Sequence, residues 1–249
     1  VHNTIVFFGS ARIPPVDRAE AALREAKAHA SAHPGDPSAQ AALRTARRLA
    51  RAAPFYDAAR ELARELAQWS LGLEERDRFY ICTGGGPGIM EAANRGAHEA
   101  NAPSVGLGIS LPMEPDHNAF ISPELEFEFH YFMIRKYWFA YLAKAMVVCP
   151  GGFGTLDEFF ELLTLIQTHK TGKYVPIVLL GKAFWTEVFH FEALVEWGVI
   201  SESDLNLFHL CDDVAEARDW IITEVTKTYL AQDAVREDPF PNVELKDPT

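Results

Sequence analysis

Short apolar runs alternate along the chain with long stretches in which apolar residues recur at helical spacing. Thr4–Phe8, Tyr80–Thr83, Ser104–Ile109, Ala145–Cys149 and Val175–Leu180 are brief and rich in β-branched side chains, and they read as strands. The amphipathic stretches separating several of them predict crossover helices, and therefore an α/β fold with a mostly parallel sheet. Glu124–Tyr131 alternates acidic and apolar residues, which predicts a further strand suited to a sheet edge, followed by a helix over Met133–Lys144. In such a sheet ligands gather where strands end and helices begin. Both glycine clusters, Gly84–Gly88 and Gly151–Gly154, fall at junctions of that kind.

Val16 to Leu71 departs from the alternation. It is rich in Ala, Leu, Arg and Glu and is interrupted by HPGDPS at His33–Ser38, so it predicts helix, turn, helix, and then the first crossover helix. This amounts to a helical insertion over about residues 14–53, after the first strand. Arg44, Arg47, Arg48 and Arg51 share one helical face, the pattern of a solvated surface. We expect one domain over residues 1–232 and a tail over 233–249, where prolines and acids accumulate.

Composition narrows the function. The 249 residues are 48% hydrophobic, enough for one large core. A formal charge of -12 argues against sequence-independent nucleic-acid binding, since a phosphate backbone rewards clustered Lys and Arg. No apolar run reaches membrane-spanning length, and the first residues lack the features of a secretory signal, so a soluble cytoplasmic protein is expected. Cys82, Cys149 and Cys211 match no zinc spacing and read as buried free thiols; the histidines His117, His130, His169 and His190 form no metal spacing either.

The candidate chemistry centres on PGGFGTLDE, Pro150 to Glu158. A strand ends at Pro150, and Leu156, Phe159, Phe160, Leu163 and Ile166 then follow helical spacing, so the turn delivers a helix N-terminus to the sheet edge. Unpaired amides and the positive end of the helix dipole favour a phosphate there. Gly151, Gly152 and Gly154 let the backbone approach the anion, and the Thr155 hydroxyl adds a donor. The spacing fits neither a Walker loop nor a dinucleotide fingerprint. Glu158 has two readings: a catalytic carboxylate, its charged form favoured near a helix N-terminus, or the reciprocal partner of Thr155 in a capping box. A carboxylate beside a phosphate calls for a nearby cation, and Arg135, followed by Lys136, is the candidate. Tyr137, Trp138 and Tyr141 are either base-pocket aromatics or core and interface residues.

MIRK at Met133–Lys136, PGGFGTLDE, and GGGPGIMEAANRGA at Gly84–Ala97 together resemble the LOG family of cytokinin riboside 5'-monophosphate phosphoribohydrolases, whose members are often labelled lysine decarboxylases. The resemblance runs from Thr4 to about Tyr229 outside the insertion. It implies a three-layer Rossmann-like fold, a homodimer or larger homo-oligomer, and hydrolysis of a nucleoside 5'-monophosphate to free base and ribose 5-phosphate without metal or cofactor. It places Arg135 and Glu158 in catalytic positions, and Gly151, Gly152, Gly154 and Thr155 at the phosphate. Ser10, Gly85, Gly86, Met133 and Lys136 become neighbours of the substrate. Glu91, where compact members carry glycine, and the insertion mark a longer bacterial branch, for which AMP rivals cytokinin ribotides as substrate. A nucleotide-binding protein without catalysis needs the glycines and Thr155 but no carboxylate near the sugar. A decarboxylase needs a lysine carrying pyridoxal phosphate, and Lys136, Lys144, Lys170 and Lys173 lie in no such motif. Glu114 and Asp116 are further candidates for the pocket border.

Overall fold

A computed structural model of the protein describes residues 1–110 and 117–231; Glu114, Asp116 and the stretch read as a tail lie outside the described residues. Among those described, seven strands form one sheet: β1 (Thr4–Phe8), β2 (Tyr80–Thr83), β3 (Ser104–Ile109), β4 (Glu126–Phe129), β5 (Ala143–Val148), β6 (Ile177–Leu180) and β7 (His209–Cys211). Their order is β4-β3-β2-β1-β5-β6-β7, and all neighbouring pairs are parallel. The expected α/β architecture is present, with a sheet that is wholly rather than mostly parallel.

Alternating side chains sort the core into two layers. Ile5, Phe7, Ile81, Val147 and Leu180 point to one face and pack with α3 (Pro54–Leu71), α4 (Ile89–Glu99) and α9 (Val214–Val225). Val6, Phe8, Cys82, Val148 and Leu179 point to the other, against α5 (Phe132–Leu142), α6 (Phe153–Gln167), α7 (Lys182–Val188) and α8 (Phe191–Glu196). Because both faces are covered, a one-residue slip of a central strand would exchange two buried sets, and the register is fixed by packing on both sides. Each buried aliphatic or aromatic side chain contributes about 1.5–3 kcal/mol. Cys82, Cys149 and Cys211 are buried free thiols, and burial raises all three above the ordinary thiol range.

Helices α1 (Val16–Ala32) and α2 (Pro37–Ala52) follow β1, and α3 returns the chain to β2. The two pack on each other through Ala30, Ala39 and Leu43, a cluster separate from the sheet core. Asp36 caps α2 by accepting from the Ser38 amide, and Pro37 occupies the first helical position. The four arginines of α2 face solvent, where Arg51 pairs with Glu187.

Several boundaries differ from the sequence expectation. β6 begins at Ile177 rather than Val175 because Pro176 has no amide to give the ladder; its carbonyl instead accepts from Met146. The helix α5 stops at Leu142, and Ala143 opens β5 without an intervening loop. β7 has only three residues, too few to show a period, and it was not anticipated.

Candidate active site

The strand order reverses between β1 and β5. β2 leads into α4 on one layer and β5 leads into α6 on the other, so a crevice opens at the carboxyl ends of the strands. It holds a cavity of about 1340 Å³. Contributors include Ser10 and Arg12 after β1, Gly84, Gly86 and Met90 after β2, Arg135 and Phe139 from α5, and Gly152, Gly154, Thr155 and Glu158 from α6.

Helix α6 starts at Phe153 with Gly152 as its N-cap, and no side chain caps it. This excludes the capping box: Thr155 is already the third helical residue, and Glu158 is too far along to turn back onto the N-cap amide. The first intrahelical bond runs from the Leu156 amide to the Gly152 carbonyl, leaving the amides of Phe153, Gly154 and Thr155 without intrahelical acceptors. A methyl group added at Gly152 or Gly154 would meet nothing within 4 Å, so both positions are open. Gly151 differs. A methyl there would stand 2.2 Å from Thr155 Oγ1, so the turn folds directly onto the Thr155 side chain.

Thr155, Glu158, Phe159, Leu162 and Ile166 form the buried stripe of α6. Phe159 is fully buried among Trp185, Phe191 and Phe208, which fixes the rotation of the helix and holds Glu158 against the cavity, only 6% exposed. Burial raises its carboxyl to about 7, against the opposing pull of Lys136 and Arg135. The expectation of a favoured charged form is thus corrected: Glu158 lies beyond the first turn, where the dipole fades, and desolvation wins.

Arg135 rises from the first turn of α5 with its guanidinium over the rings of Phe132 and Phe139, 5.2 and 5.8 Å from their centroids. It reaches toward the other glycine turn, since a methyl at Gly84 would lie 3.9 Å from its Nη1. Ser10 ties the two turns together: its amide donates to the Pro150 carbonyl, 3.0 Å, and its carbonyl accepts from Ile89 at the start of α4, 3.1 Å.

Of the residues expected at the substrate, Ser10, Gly86, Arg135, Gly152, Gly154, Thr155 and Glu158 line the cavity. Gly85 and Gly151 sit behind it as parts of the turns. Lys136 points elsewhere, bridging Asp157 and Glu161 at 2.8 and 2.9 Å on the outer face of α6. Met133 is 78% exposed and also outside the lining. Tyr137, Trp138 and Tyr141 pack on one another away from the cavity. Sequence reasoning missed the residues that shape the first turn. Thr83 Oγ1 accepts from the Gly85 amide and donates to Asn94 Oδ1, and Asn118 Nδ2 donates to the Gly85 and Gly86 carbonyls and to Asn94 Oδ1. Asn94, a buried polar residue in an Ala-rich helix, was the available signal. Among the described residues no group of three or more His, Cys, Asp or Glu is arranged to hold a metal, and no helix is long and apolar enough to cross a membrane.

The fold is thus a doubly wound α/β protein with a wholly parallel sheet, whose switch point carries an uncapped helix terminus, a buried carboxylate and an arginine. The family model described as "Possible lysine decarboxylase" matches residues 90–221, just over half of the chain, and the protein belongs to this LOG-type family. It is 26% identical over 175 residues to the probable cytokinin riboside 5'-monophosphate phosphoribohydrolase LOG4 of Oryza sativa subsp. japonica, covering 70% of each chain. It is 32% identical over 125 residues to the pyrimidine/purine nucleotide 5'-monophosphate nucleosidase of Escherichia coli K12, a match spanning 45% of this chain and 25% of that longer protein. The fold is shared with the structural-genomics target TM1055, at 20% identity and a TM-score of 0.52 over 89% of this chain and 99% of the other. It is shared too with the Moco carrier protein of Chlamydomonas reinhardtii, at 18% identity and 0.50 over 91% and 99%.

Proposed function

We propose that the protein hydrolyses the N-glycosidic bond of a nucleoside 5'-monophosphate, giving free base and ribose 5-phosphate. The observation that carries this reading is the meeting of Glu158, Arg135 and the open turn Gly152–Thr155 on the wall of one cavity. The relatives named for phosphoribohydrolase and nucleosidase activity support it. The phosphate sits at the amides of α6, which anchors the sugar beside Glu158 and spends remote binding energy on orientation. As the C1'–N bond breaks, its electron pair leaves with the base, and positive charge develops on the sugar. A water oxygen bonds to C1', its proton passes to the Glu158 carboxylate, and the carboxyl then returns that proton to the departing base. A carboxylate whose affinity for protons is raised to about 7 is a stronger base at neutral pH than an ordinary glutamate. Arg135 supplies fixed positive charge that the phosphate and the carboxylate share.

The decarboxylase wording of the family description finds no support in the cavity: no lysine is among the described residues that line it. Lys173, lowered by burial to about 7, instead donates 2.7 Å bonds to the Tyr141 and Ala143 carbonyls where α5 passes into β5.

The protein works as a homo-oligomer in the cytoplasm. Met133, Ile134 and Tyr137 on α5, with Tyr131 and Phe153, which is 93% exposed, leave apolar surface beside the cavity that a second copy would cover. Incubating the purified protein with AMP and with a cytokinin ribotide and assaying free base and ribose 5-phosphate tests the activity; release from neither, nor from other nucleoside monophosphates, overturns it. Light scattering tests the assembly.

A further inference from the structure

Away from the cavity the molecule carries a surface whose two halves bear opposite charge. One half is α2, which holds Arg44, Arg47, Arg48 and Arg51 on a single face and contains no acidic residue. Arg51 is taken by Glu187 of α7, at 2.5 Å. Arg44, Arg47 and Arg48 are exposed and make no ion pair among the described residues. The other half begins at that same pair. α8 follows α7 after two residues, and from Ala183 to Phe208 the chain has no lysine or arginine. Glu192, Glu196 and Glu202 are exposed there and are likewise without an ion pair among the described residues.

Among these carboxylates stands Trp197, 83% exposed, with the exposed Leu194 and Val199 to either side of it in sequence. Fraying does not explain that exposure. The Gly198 amide donates to the Val195 carbonyl and the Val199 amide to the Leu194 carbonyl, at 2.8 and 3.0 Å, with Gly198 in the left-handed region at φ 69°. This is the closed helix stop in which a glycine past the end lets the chain satisfy the last carbonyls. The Trp197 amide donates to Ala193, so the indole is held outward on a fully bonded turn. A large apolar ring fixed in water is costly unless something covers it, and tryptophan and arginine are the residues that most often anchor interfaces. An unpaired guanidinium is also a planar cation suited to the face of an indole.

What covers the ring follows from the arrangement. A patch with a basic half and an acidic half that adjoin at one point is complementary to its own copy. A two-fold axis near the Arg51–Glu187 pair sets the basic half of one molecule on the acidic half of the other, and the reverse. We propose that this surface is an interface with a second copy of the chain, in which the arginine stripe of α2 on each protomer covers Trp197 and meets Glu192, Glu196 and Glu202 on the other. The contact is separate from the apolar surface of α5 beside the cavity, and it does not depend on the hydrolytic reading. It also gives the helical insertion after β1 a task, since α2 belongs to it.

The test uses two full-length variants, one carrying Arg44→Glu, Arg47→Glu and Arg48→Glu, the other Glu192→Arg, Glu196→Arg and Glu202→Arg, with mass read by light scattering and folding by circular dichroism. Each alone should run below the wild-type mass, because both halves of its surface then bear one sign. An equimolar mixture of the two should return to the wild-type mass. Trp197→Ala, which changes no charge, should weaken association by at least about tenfold. A wild-type mass in either charge variant overturns the proposal, as does undiminished association of the Trp197→Ala protein. A mixture that stays at the mass of its components overturns it too, by assigning the arginines to an acidic partner other than this chain.

Discussion

The turns at Gly84–Gly88 and Gly151–Gly154 flank the same central strand, each joining a parallel strand to a helix, yet they are built in opposite ways. The first is filled from within. Asn118, Asn94 and Thr83 engage its backbone, and Met90 packs over Gly84 and Gly86 closely enough that a methyl at Gly86 would meet its Cε at 2.8 Å. The second is left open, with nothing beside Gly152 or Gly154 and no side chain capping α6. A glycine-rich strand-to-helix junction is therefore not a ligand site by composition. What decides is whether the protein satisfies the turn itself or leaves that to something else.

The sharpest way to break this contrast is to remove the chemistry of the open side. Glu158→Gln should lower kcat for base release by about 10²–10⁴-fold, with AMP binding retained, as steady-state kinetics and calorimetry would report. An unchanged kcat would reduce Glu158 to a packing residue. Filling the open turn comes next. Gly152→Ala should weaken AMP binding by more than about tenfold yet shift stability by no more than about 1 kcal/mol, because the added methyl meets no protein atom within 4 Å. A steep drop in melting temperature instead would make this turn as structural as the other.

The closed turn should respond in the reverse sense. Asn94→Leu leaves the buried Thr83 hydroxyl without its acceptor and takes one of three acceptors from the Asn118 amide, at a cost of about 1–3 kcal/mol, visible as a lower urea midpoint with an unchanged slope. Wild-type stability in that variant would mean the network holds nothing.

Two smaller effects concern the carboxyl. Since burial raises Glu158 to about 7 and the ionised form accepts the proton, kcat/KM should fall about tenfold per pH unit below that value and level off above it. A profile flat from pH 5 to 8 would exclude this role. Lys136 lowers the Glu158 carboxyl through its charge, so Lys136→Met should move the acidic limb to higher pH by a fraction of a unit. A limb that moves to lower pH would reverse the assigned sign.

Much of the fold was legible because its strands are short apolar blocks. β1, β2 and β3 lie where the pattern put them, whereas β7, three residues long, carries too little pattern to be seen. The candidate site was half legible. Arg135, Glu158, Gly152 and Gly154 stand out by motif, and they line the cavity, whereas Gly151 sits behind it. Lys136 is adjacent to Arg135 in sequence but about a hundred degrees around the helix, which turns it to Asp157 and Glu161. His117, Glu126 and Glu128 also line the cavity and were missed, because β3–β4 pairing and two glycines bring them together, and neither fact is local.

By itself the sequence determined the periods, and with them a parallel α/β sheet and a glycine-rich turn that opens a helix at the end of a central strand. Those features follow from local propensity and backbone geometry, which neighbouring residues set. Only the tertiary structure decided which of the two glycine turns is open, that Thr155 is no cap, and that Glu158 holds its proton up to about 7. The physical reason is that occupancy and desolvation depend on what packs from elsewhere in the chain: Asn118 and Met90 over one turn, and the Phe159 cluster that turns Glu158 toward the cavity at the other.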